Sequence, residues 1–283
     1  EPKSIFFEIF FKSLKIKKFK SPLVLICSEQ MLKMHMKIFR FKKNINKIDW
    51  KNLNIKKLNN RSINLIDVKY NQKDIINLNN QMYQDYLYNS FQIAFNLIRK
   101  GVSNKLINGP ISKKKFLKKK YLGITEYISE QFNIKKSAML IYNNKLSVCP
   151  VTTHLPIKLV SKNIIKNKIK EKIILINDFY KKKLKIKPKI AILGLNPHCE
   201  SISKFNEDEK IVKPLVNVLK KKNYKISGPF SADTIFLKSN RDKFNVIIGM
   251  YHDQVLSPFK ALFEYDAINI TLGLPFLRIS PDH

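Results

Sequence analysis

Apolar runs of strand length alternate with helical segments along most of this chain, and this alternation constrains the fold more than any other feature of the sequence. Strands are predicted at Pro22–Cys27, Ala138–Tyr142, Ser147–Thr152, Ile190–Leu195 and residues 245–250. Helices are predicted at Ile5–Leu14, Met31–Phe39 and residues 79–100, 157–184 and 208–223. Alternating elements of these lengths are typical of an α/β fold with a largely parallel sheet.

Residues 79–100 show the clearest helical pattern in the chain. Apolar side chains recur there at three- and four-residue steps, at Tyr83, Leu87, Phe91, Ala94, Phe95 and Ile98. Gly101 follows at the place of a C-capping glycine. Residues 43–73, by contrast, are rich in Asn and Lys with isolated apolar residues, which favours edge strands and loops.

Three of the five histidines follow predicted strands. His154, His198 and His252 each come at or just beyond a strand end, and ligands of open α/β sheets bind at the carboxyl ends of strands. Three imidazoles suit a divalent transition metal that keeps open positions for substrate. Spacing alone makes this a weak signal, because the three histidines form no short local motif. His35 and His283 lie outside the set.

Polar side chains also interrupt the apolar C-terminal stretch Gly249–His283. Lys260, Asn269 and Arg278 punctuate segments that otherwise have the pattern of buried strands and turns. Leaving such groups unpaired in the interior costs on the order of 1–3 kcal/mol each. A bound anionic substrate would supply their partners, so we expect a substrate site here.

Five ordered blocks of sequence carry a family signature. They are Asn108–Lys113 with Gly123–Glu126, Thr152–Pro156, Gly194–His198, Gly228–Thr234 and Gly249–His283. Together they resemble the 4-hydroxythreonine-4-phosphate dehydrogenases of vitamin B6 synthesis, the PdxA family. Five blocks in order are a far more specific signal than any single short motif.

The resemblance implies the two-domain α/β/α fold shared with isocitrate and isopropylmalate dehydrogenases, with mixed, largely parallel sheets. We place an N-terminal α/β domain at residues 1–118 and a second α/β domain, carrying the metal, the substrate and the dimer interface, at residues 119–283. The implied reaction is NAD- or NADP-linked oxidation of 4-phosphooxy-L-threonine to a 3-oxo acid, which decarboxylates to 3-amino-2-oxopropyl phosphate. A divalent metal (Zn, Mg or Co) on His154, His198 and His252 is implied, with one ligand from the partner subunit of a homodimer.

Other site residues follow from the same resemblance. Lys260, Asn269 and Arg278 would hold phosphate and carboxylate, because Arg offers a planar fork to an oxyanion and Lys a point charge. Thr125 would donate its hydroxyl to the phosphate; its alternative is a helix N-cap. Asp233 would accept a proton or orient a neighbouring side chain; the alternative is that it is a turn or helix-cap aspartate with no catalytic role. Lys260 is the second candidate for a catalytic residue.

The cofactor site is the least readable part of the sequence. No G-x-G-x-x-G occurs, so a Rossmann dinucleotide site is not supported. Asn196 and Gly273 are cofactor candidates by position only. The family continues beyond Ser280–His283 with a Gly-rich loop, and Glu1-Pro2 resembles the middle of its N-terminal turn, so we expect the first strand and a C-terminal return segment to be missing here.

One motif departs from the family pattern. Where the family has Gly-His-Thr-Glu, this chain has Gly123-Ile124-Thr125-Glu126. Isoleucine can neither donate a hydrogen bond nor carry charge, and the loss of one such contact commonly costs about 1–3 kcal/mol. We therefore predict impaired rather than abolished turnover, with Lys113 or another nearby lysine as the alternative source of the lost contact.

The net charge of +33 raises the alternative of a polyanion-binding protein on a decayed enzyme scaffold. The lysines are scattered over nearly every predicted surface segment, however, so we expect no specific nucleic-acid partner. No apolar run reaches the roughly 18 residues of a membrane span. Three widely spaced cysteines fit a reducing cytoplasm. A related four-carbon substrate, threonate or erythronate 4-phosphate, also stays open.

Overall fold

The computed structural model describes residues 1, 4–70, 80–117, 121, 123–202 and 205–282. The chain divides into two compact units, Glu1–Lys119 and Lys120–His283. The strands are β1 Val24–Cys27, β2 Ile45–Lys47, β3 Ile63–Asp67, β4 Lys105–Ile107, β5 Ala138–Tyr142, β6 Ser147–Thr152, β7 Ile190–Leu193, β8 Ile226–Phe230, β9 Val246–Tyr251, β10 Ile268–Leu272 and β11 Leu277–Pro281. The α-helices are α1 Phe6–Ile16, α2 Glu29–Ile38, α3 Asn80–Arg99, α4 Lys113–Leu117, α5 Ile124–Gln131, α6 Val160–Asn163, α7 Lys166–Phe179, α8 Lys213–Lys221, α9 Ala232–Ile235, α10 Lys238–Arg241 and α11 His252–Phe263.

The first unit contains a parallel sheet in the order β1–β3–β2. The expectation of edge strands within residues 43–73 is therefore wrong for β3, which is the central strand and is buried along most of its length. Asn64 hid this strand in the sequence because it interrupts the apolar run. Its side-chain amide donates to the carbonyls of Leu23 and Asn59 at 2.9 and 2.7 Å, so the buried polar group is satisfied.

Aromatic side chains from α1 and α2 form much of the core of the first unit. Phe11 stacks on Phe41 with ring centroids 4.6 Å apart, and Phe7 stacks on His35 at 4.4 Å. His35 is therefore a member of an aromatic core cluster. Gly101 has φ +71° at the end of α3, as expected for a C-capping glycine.

The strands of the second unit are ordered β11–β10–β5–β6–β9–β7–β8. Strands β6, β9, β7 and β8 are parallel, whereas β5, β10 and β11 pair antiparallel. Alternate residues of the strands pack against helices on opposite faces: Ile192 belongs to the cluster that contains Ile173 of α7, and Leu193 to the cluster that contains Phe259 of α11. This three-layer arrangement confirms the predicted α/β class with a mixed, largely parallel sheet.

Several helices differ from the sequence prediction, and two of the differences have a clear physical reason. The expected helix at 157–184 is divided into a 3₁₀ turn at Ile157–Leu159, α6, α7 and a π-helical turn at Tyr180–Leu184, because Ile164 and Ile165 adopt extended ψ angles. Helix α11 follows β9 directly and was not predicted, since Pro258 within it is a helix-breaking signal. Within the described ranges, no helix has the combined length and apolar character of a membrane span.

Candidate active site

Four of the predicted site residues follow neighbouring parallel strands at one edge of the second sheet. Going across the sheet in the order β6, β9, β7, β8, the strand ends are followed by His154, His252, His198 and Asp233. Because the strands are parallel, all four residues leave the sheet at the same, carboxyl edge. Neighbouring strands lie about 4.8 Å apart, so residues that follow adjacent strands can touch, while those two strands apart are separated further.

His154 and His252 follow adjacent strands, and their imidazole rings lie together. Their ring centroids are 5.6 Å apart with an interplanar angle of 38°. Two imidazoles that bind one tetrahedral ion through nitrogens at 2.0–2.1 Å would have centroids about 5 Å apart. The pair therefore fits a shared divalent metal.

The neighbour of His252 also suits a metal ligand. Nδ1 of His252 lies 2.6 Å from Oδ1 of Asp253. A carboxylate on one imidazole nitrogen fixes the ring and leaves Nε2 available, which is the usual arrangement behind a metal-binding histidine. The His252 side chain is about one-third exposed, so the imidazole is only partly covered by the fold.

His198 lies apart from this pair. It sits in the short turn Pro197–Cys199 after β7 with a left-handed backbone, φ +53°. Across the part of the chain that the structure describes, no set of three His, Cys, Asp or Glu side chains is arranged to hold a metal ion. One chain thus brings two of the three predicted ligands together and leaves the third at the same edge of the sheet.

Asp233 is exposed and lies in the first turn of α9. Its pKa is lowered from the usual value, first by a hydrogen bond from the Ser231 hydroxyl and also by the charge of nearby His198. A carboxylate with a depressed pKa is ionised at neutral pH and is a weak base. Of the two roles predicted for Asp233, this favours orienting a neighbour over accepting a proton.

Arg278 is a buried cation on β11, with 3% of its surface exposed. Its Nη1 donates to Oγ1 of Thr271 on β10 at 3.1 Å, and that hydroxyl lies 3.3 Å from the hydroxyl of Thr125 on α5. Burial lowers the pKa of Arg278 to about 10, while the Glu126 carboxylate acts in the opposite direction. The guanidinium is therefore charged at neutral pH and is fixed in position.

Asn269 shares a face with Arg278. In the antiparallel β10–β11 pair, Thr271 lies opposite Arg278 and Asn269 opposite Ser280, so all four side chains project from one face of the ribbon. The side-chain oxygen of Asn269 is buried and has no hydrogen-bond partner among the described residues. Such an oxygen is a ready acceptor for a ligand donor.

Lys260 is already paired in this structure. Its Nζ lies 3.0 Å from Oδ2 of Asp282, whose side chain is nearly buried, and 4.9 Å from the centroid of the Tyr265 ring. Thr125 is not the helix N-cap that the sequence allowed as its alternative, because Gly123 occupies that position and Thr125 lies inside α5.

The two cofactor candidates both have roles in the fold. The amide of Asn196 donates to the carboxylates of Glu207 and Asp208 at 3.2 and 3.1 Å. Gly273 has φ +94°, and a Cβ there would lie 2.2 Å from the carbonyl oxygen of Lys136, so only glycine fits. These observations explain both residues without a dinucleotide.

Sequence reasoning gave no role to Glu126, which the structure places beside the imidazole pair. Oε1 of Glu126 accepts a hydrogen bond from the Thr153 hydroxyl at 3.2 Å. A Cβ on Gly123 would lie 2.8 Å from Oε2 of Glu126 and 3.1 Å from Cε1 of His154, so the absent side chain at 123 allows this close packing. The sequence did contain a signal for Glu126, because an acidic residue at the third position of a helix places its carboxylate near the N-terminus of that helix.

The model of the family described as "Pyridoxal phosphate biosynthetic protein PdxA" matches residues 18–283. The chain belongs to the PdxA family. A 4-hydroxythreonine-4-phosphate dehydrogenase of Sulfurihydrogenibium sp. (strain YO3AOP1) is 46% identical over 186 residues, which are 64% of this chain and 57% of that protein. A D-threonate 4-phosphate dehydrogenase of Pectobacterium atrosepticum is 33% identical over 202 residues, 70% of this chain and 62% of that protein.

Solved structures of PdxA proteins share the fold. The crystal structure of 4-hydroxythreonine-4-phosphate dehydrogenase from Klebsiella pneumoniae superimposes with a TM-score of 0.78 at 28% identity, covering 100% of this chain and 88% of that one. The matched segments span about three-fifths of the two curated relatives. The fold and family of this PdxA chain are thereby established from both sequence and structure.

Proposed function

We propose that this PdxA chain oxidises 4-phosphooxy-L-threonine with NAD or NADP, giving a 3-oxo acid that decarboxylates to 3-amino-2-oxopropyl phosphate on the route to pyridoxal 5'-phosphate. The observation that carries the proposal is the pair of imidazoles, His154 and His252, with ring centroids 5.6 Å apart at the carboxyl edge of the sheet. The family description and the names of the relatives support the same assignment.

His154 and His252 would hold the divalent metal, which we propose to be Zn, Mg or Co, and His198 would complete the ligand set across a subunit contact. A metal held there would supply Lewis acidity that lowers the pKa of the substrate hydroxyl, and a nicotinamide would supply the hydride acceptor. Asp253 keeps the His252 ring oriented through its 2.6 Å contact. Asp233 acts on His198 as an ionised neighbour.

The cations and hydroxyls of the second unit would bind the anionic ends of the substrate. Arg278 offers a fixed guanidinium to a phosphate or carboxylate. Thr125 stands at the start of α5, where the helix dipole and free N–H groups favour an anion. Lys260 exchanges Asp282 for a substrate oxygen, and the unsatisfied oxygen of Asn269 accepts from a substrate donor such as the ammonium.

A homodimer with shared active sites is part of the proposal. Apolar side chains are exposed in the segments that follow two of the proposed ligands: Ile157 and Leu159 after His154, and Ile202 and Phe205 after His198. Ser161 donates to the Glu207 carboxylate, which joins these two segments. An apolar surface beside an incomplete ligand set suits a second copy of the chain, whereas the scattered lysines suit neither a specific nucleic acid nor a membrane.

We also propose a cytoplasmic location. The three cysteines of the described chain are free thiols, and two of them, Cys27 and Cys149, are buried. Burial raises the pKa of Cys149 to about 12. Unreactive, unpaired thiols and a soluble nicotinamide cofactor both suit a reducing compartment.

A direct assay of cofactor reduction tests the proposed function. Purified protein is incubated with 4-phosphooxy-L-threonine and NAD or NADP, and formation of the reduced nicotinamide is followed by its absorbance. We expect turnover that a chelator abolishes and an added divalent metal restores. A rate that is unchanged by chelator, or by replacement of all three histidines, contradicts the metal-dependent assignment.

The same assay decides between the two substrate classes. The Pectobacterium relative is named for D-threonate 4-phosphate. In this chain Ile124 also replaces the polar histidine of the family pattern at the start of α5. Faster reduction of cofactor with D-threonate or erythronate 4-phosphate than with 4-phosphooxy-L-threonine would assign the chain to the second class. Salt-sensitive binding of a polyanion that survives loss of all three histidines, without any turnover, would instead support a decayed scaffold.

A further inference from the structure

The turn that carries His198 is held by two side chains to which neither the sequence motifs nor the proposed chemistry gives a role. One is Gln254, in the first turn of α11, and the other is Asp208, before α8. Both bind the segment Gly194–Asn196, which connects β7 to the Pro197–Cys199 turn. The ligand turn is therefore fixed from two different elements of the second unit.

Gln254 joins the ends of two strands. Its Oε1 accepts from the backbone N–H of Met250 on β9 at 2.6 Å, and its Nε2 donates to the carbonyl of Gly194 after β7 at 2.8 Å. The side chain thereby fixes the spacing between the strand that delivers His252 and the strand that delivers His198. Gly249 makes room for it, because a Cβ there would lie 2.9 Å from Oε1 of Gln254.

Asp208 fixes the next two residues of the same segment. The carboxylate is fully buried and accepts from the backbone N–H groups of Leu195 and Asn196 at 2.6 and 3.0 Å, and from the Asn196 amide at 3.1 Å. Gly194 allows the approach, since a Cβ there would lie 3.1 Å from the Asp208 carboxyl carbon. Three donors on one buried carboxylate compensate its burial.

These contacts determine where the imidazole of His198 can point. Gly194, Leu195 and Asn196 are held, Pro197 has a fixed φ, and His198 itself takes a left-handed conformation at φ +53°. A non-glycine residue keeps such a conformation only where its surroundings impose it. We propose that Gln254 and Asp208 are positioning residues for His198, and that they set the affinity of the metal site.

This inference rests on the proposed function, and Co²⁺ titration separates the two. Co²⁺ affinity is measured by competition with a chelator, and the visible spectrum of the bound ion reports its ligand geometry. We expect Gln254→Met to weaken Co²⁺ binding about tenfold and to change that spectrum. Asn245→Ala is the matched control, because its Oδ1 braces the other ends of β9 and β7 by accepting from Lys189 N at 2.8 Å.

A double-mutant cycle with His198→Ala identifies the route of the effect. If Gln254 acts through His198, Gln254→Met weakens Co²⁺ binding in the native background and changes nothing further in the His198→Ala background. An equal loss in both backgrounds overturns the inference, as does an Asn245→Ala effect of the same size. Asp208→Asn is expected to repeat the Gln254→Met result.

Two further outcomes keep the proposals distinct. A native protein that binds no Co²⁺ contradicts the proposed metal site itself. A native protein that binds Co²⁺ and a Gln254→Met variant that binds it equally contradict only the positioning role. Should Gln254→Met fail to fold, Gln254→Glu serves instead, because it keeps an acceptor for Met250 N and loses the donor to Gly194.

Discussion

The parallel and antiparallel halves of the second sheet carry site residues in different ways. Strands β7 and β9 are apolar where they are buried, and β6 is apolar between the buried hydroxyl residues Ser147 and Thr152 at its two ends. The proposed site residues follow the carboxyl ends of these strands. Strands β10 and β11 instead carry polar side chains inside the sheet, where Thr271 and Arg278 are almost completely buried. The proposed site residues of one half therefore lie just beyond strand ends, and those of the other half lie within strands.

This difference predicts different consequences of substitution. A residue just beyond a strand end, such as His252 at the start of α11, can meet water when no ligand is bound, so its removal changes function more than stability. A buried strand residue such as Arg278 needs partners in every folded molecule, so its removal changes both. Substitutions at the strand ends of the parallel half should change function without changing stability, whereas substitutions within the antiparallel strands should change both.

The largest expected effect is the loss of activity in His252→Ala. We expect a decrease in kcat/KM of about a thousandfold or more, equivalent to about 4 kcal/mol, because a proposed metal ligand is lost. The free energy of unfolding should change by less than about 1 kcal/mol, since the side chain is partly exposed. Activity assays and urea unfolding measure the two quantities.

His35→Phe is the control for that variant. His35 stacks on Phe7 in the core of the first unit, and phenylalanine retains an aromatic ring there. We expect its activity to stay within about twofold of the native value, since no proposed ligand changes. A His252→Ala variant that loses activity only in proportion to its loss of folded protein would remove the distinction between the two halves of the sheet.

Arg278→Ala should have the largest effect on stability. We expect the free energy of unfolding to fall by about 3 kcal/mol, because a large buried side chain and a donor to Thr271 are both removed. Activity should fall as well, even in conditions where the variant is folded. Arg241→Ala is a milder comparison at about 1 kcal/mol, since Arg241 donates to the carbonyl of Phe236 and otherwise forms a long, 3.8 Å ion pair with the exposed Asp242.

Much of the second sheet could be predicted from the sequence for a physical reason. Strands β5 and β6 are mostly apolar segments buried along almost their whole length, and the predicted bounds agree with the observed ones. The break between α6 and α7 could not be predicted, because Ile164 and Ile165 carry no Gly or Pro signal. Central strand β3 was missed because Asn64 interrupts its apolar run, and one of the carbonyls that satisfy the Asn64 amide, that of Leu23, is 41 residues away in the sequence.

The candidate site residues also divide into those that local sequence could place and those that depend on tertiary structure. Placing His154 and His252 side by side requires two pieces of information: which segments are strands, and the order of the strands in the sheet. Local sequence supplies only the strand assignments. The partners of Arg278 depend on the β10–β11 register, which places Thr271 opposite it. Register is a tertiary property, so the burial of Arg278 and the role of Thr271 were not readable from the sequence.

Thr271→Val should sharpen the comparison within the antiparallel half. Valine keeps the shape of the side chain and removes the hydroxyl that accepts from Arg278 and contacts Thr125. We expect the free energy of unfolding to fall by about 1–2 kcal/mol, because a buried guanidinium loses an acceptor. Thr234→Val at an exposed position should cost less than about 0.5 kcal/mol, and equal costs at both positions would argue against a structural role for the Thr271 hydroxyl.

The smallest expected effect is a gain, in Ile124→His. Ile124 begins α5 beside Thr125 and is buried like the strand residues, yet its change should act on turnover, because the substrate phosphate is proposed to bind at this helix start. We expect kcat/KM for 4-phosphooxy-L-threonine to rise about tenfold, near 1.4 kcal/mol, through one regained hydrogen bond. Ile124→Phe, with a ring but no donor, should give no gain. A histidine variant no faster than the phenylalanine variant would place the start of α5 outside the substrate site, and the phosphate would then depend on Arg278 and Lys260 alone.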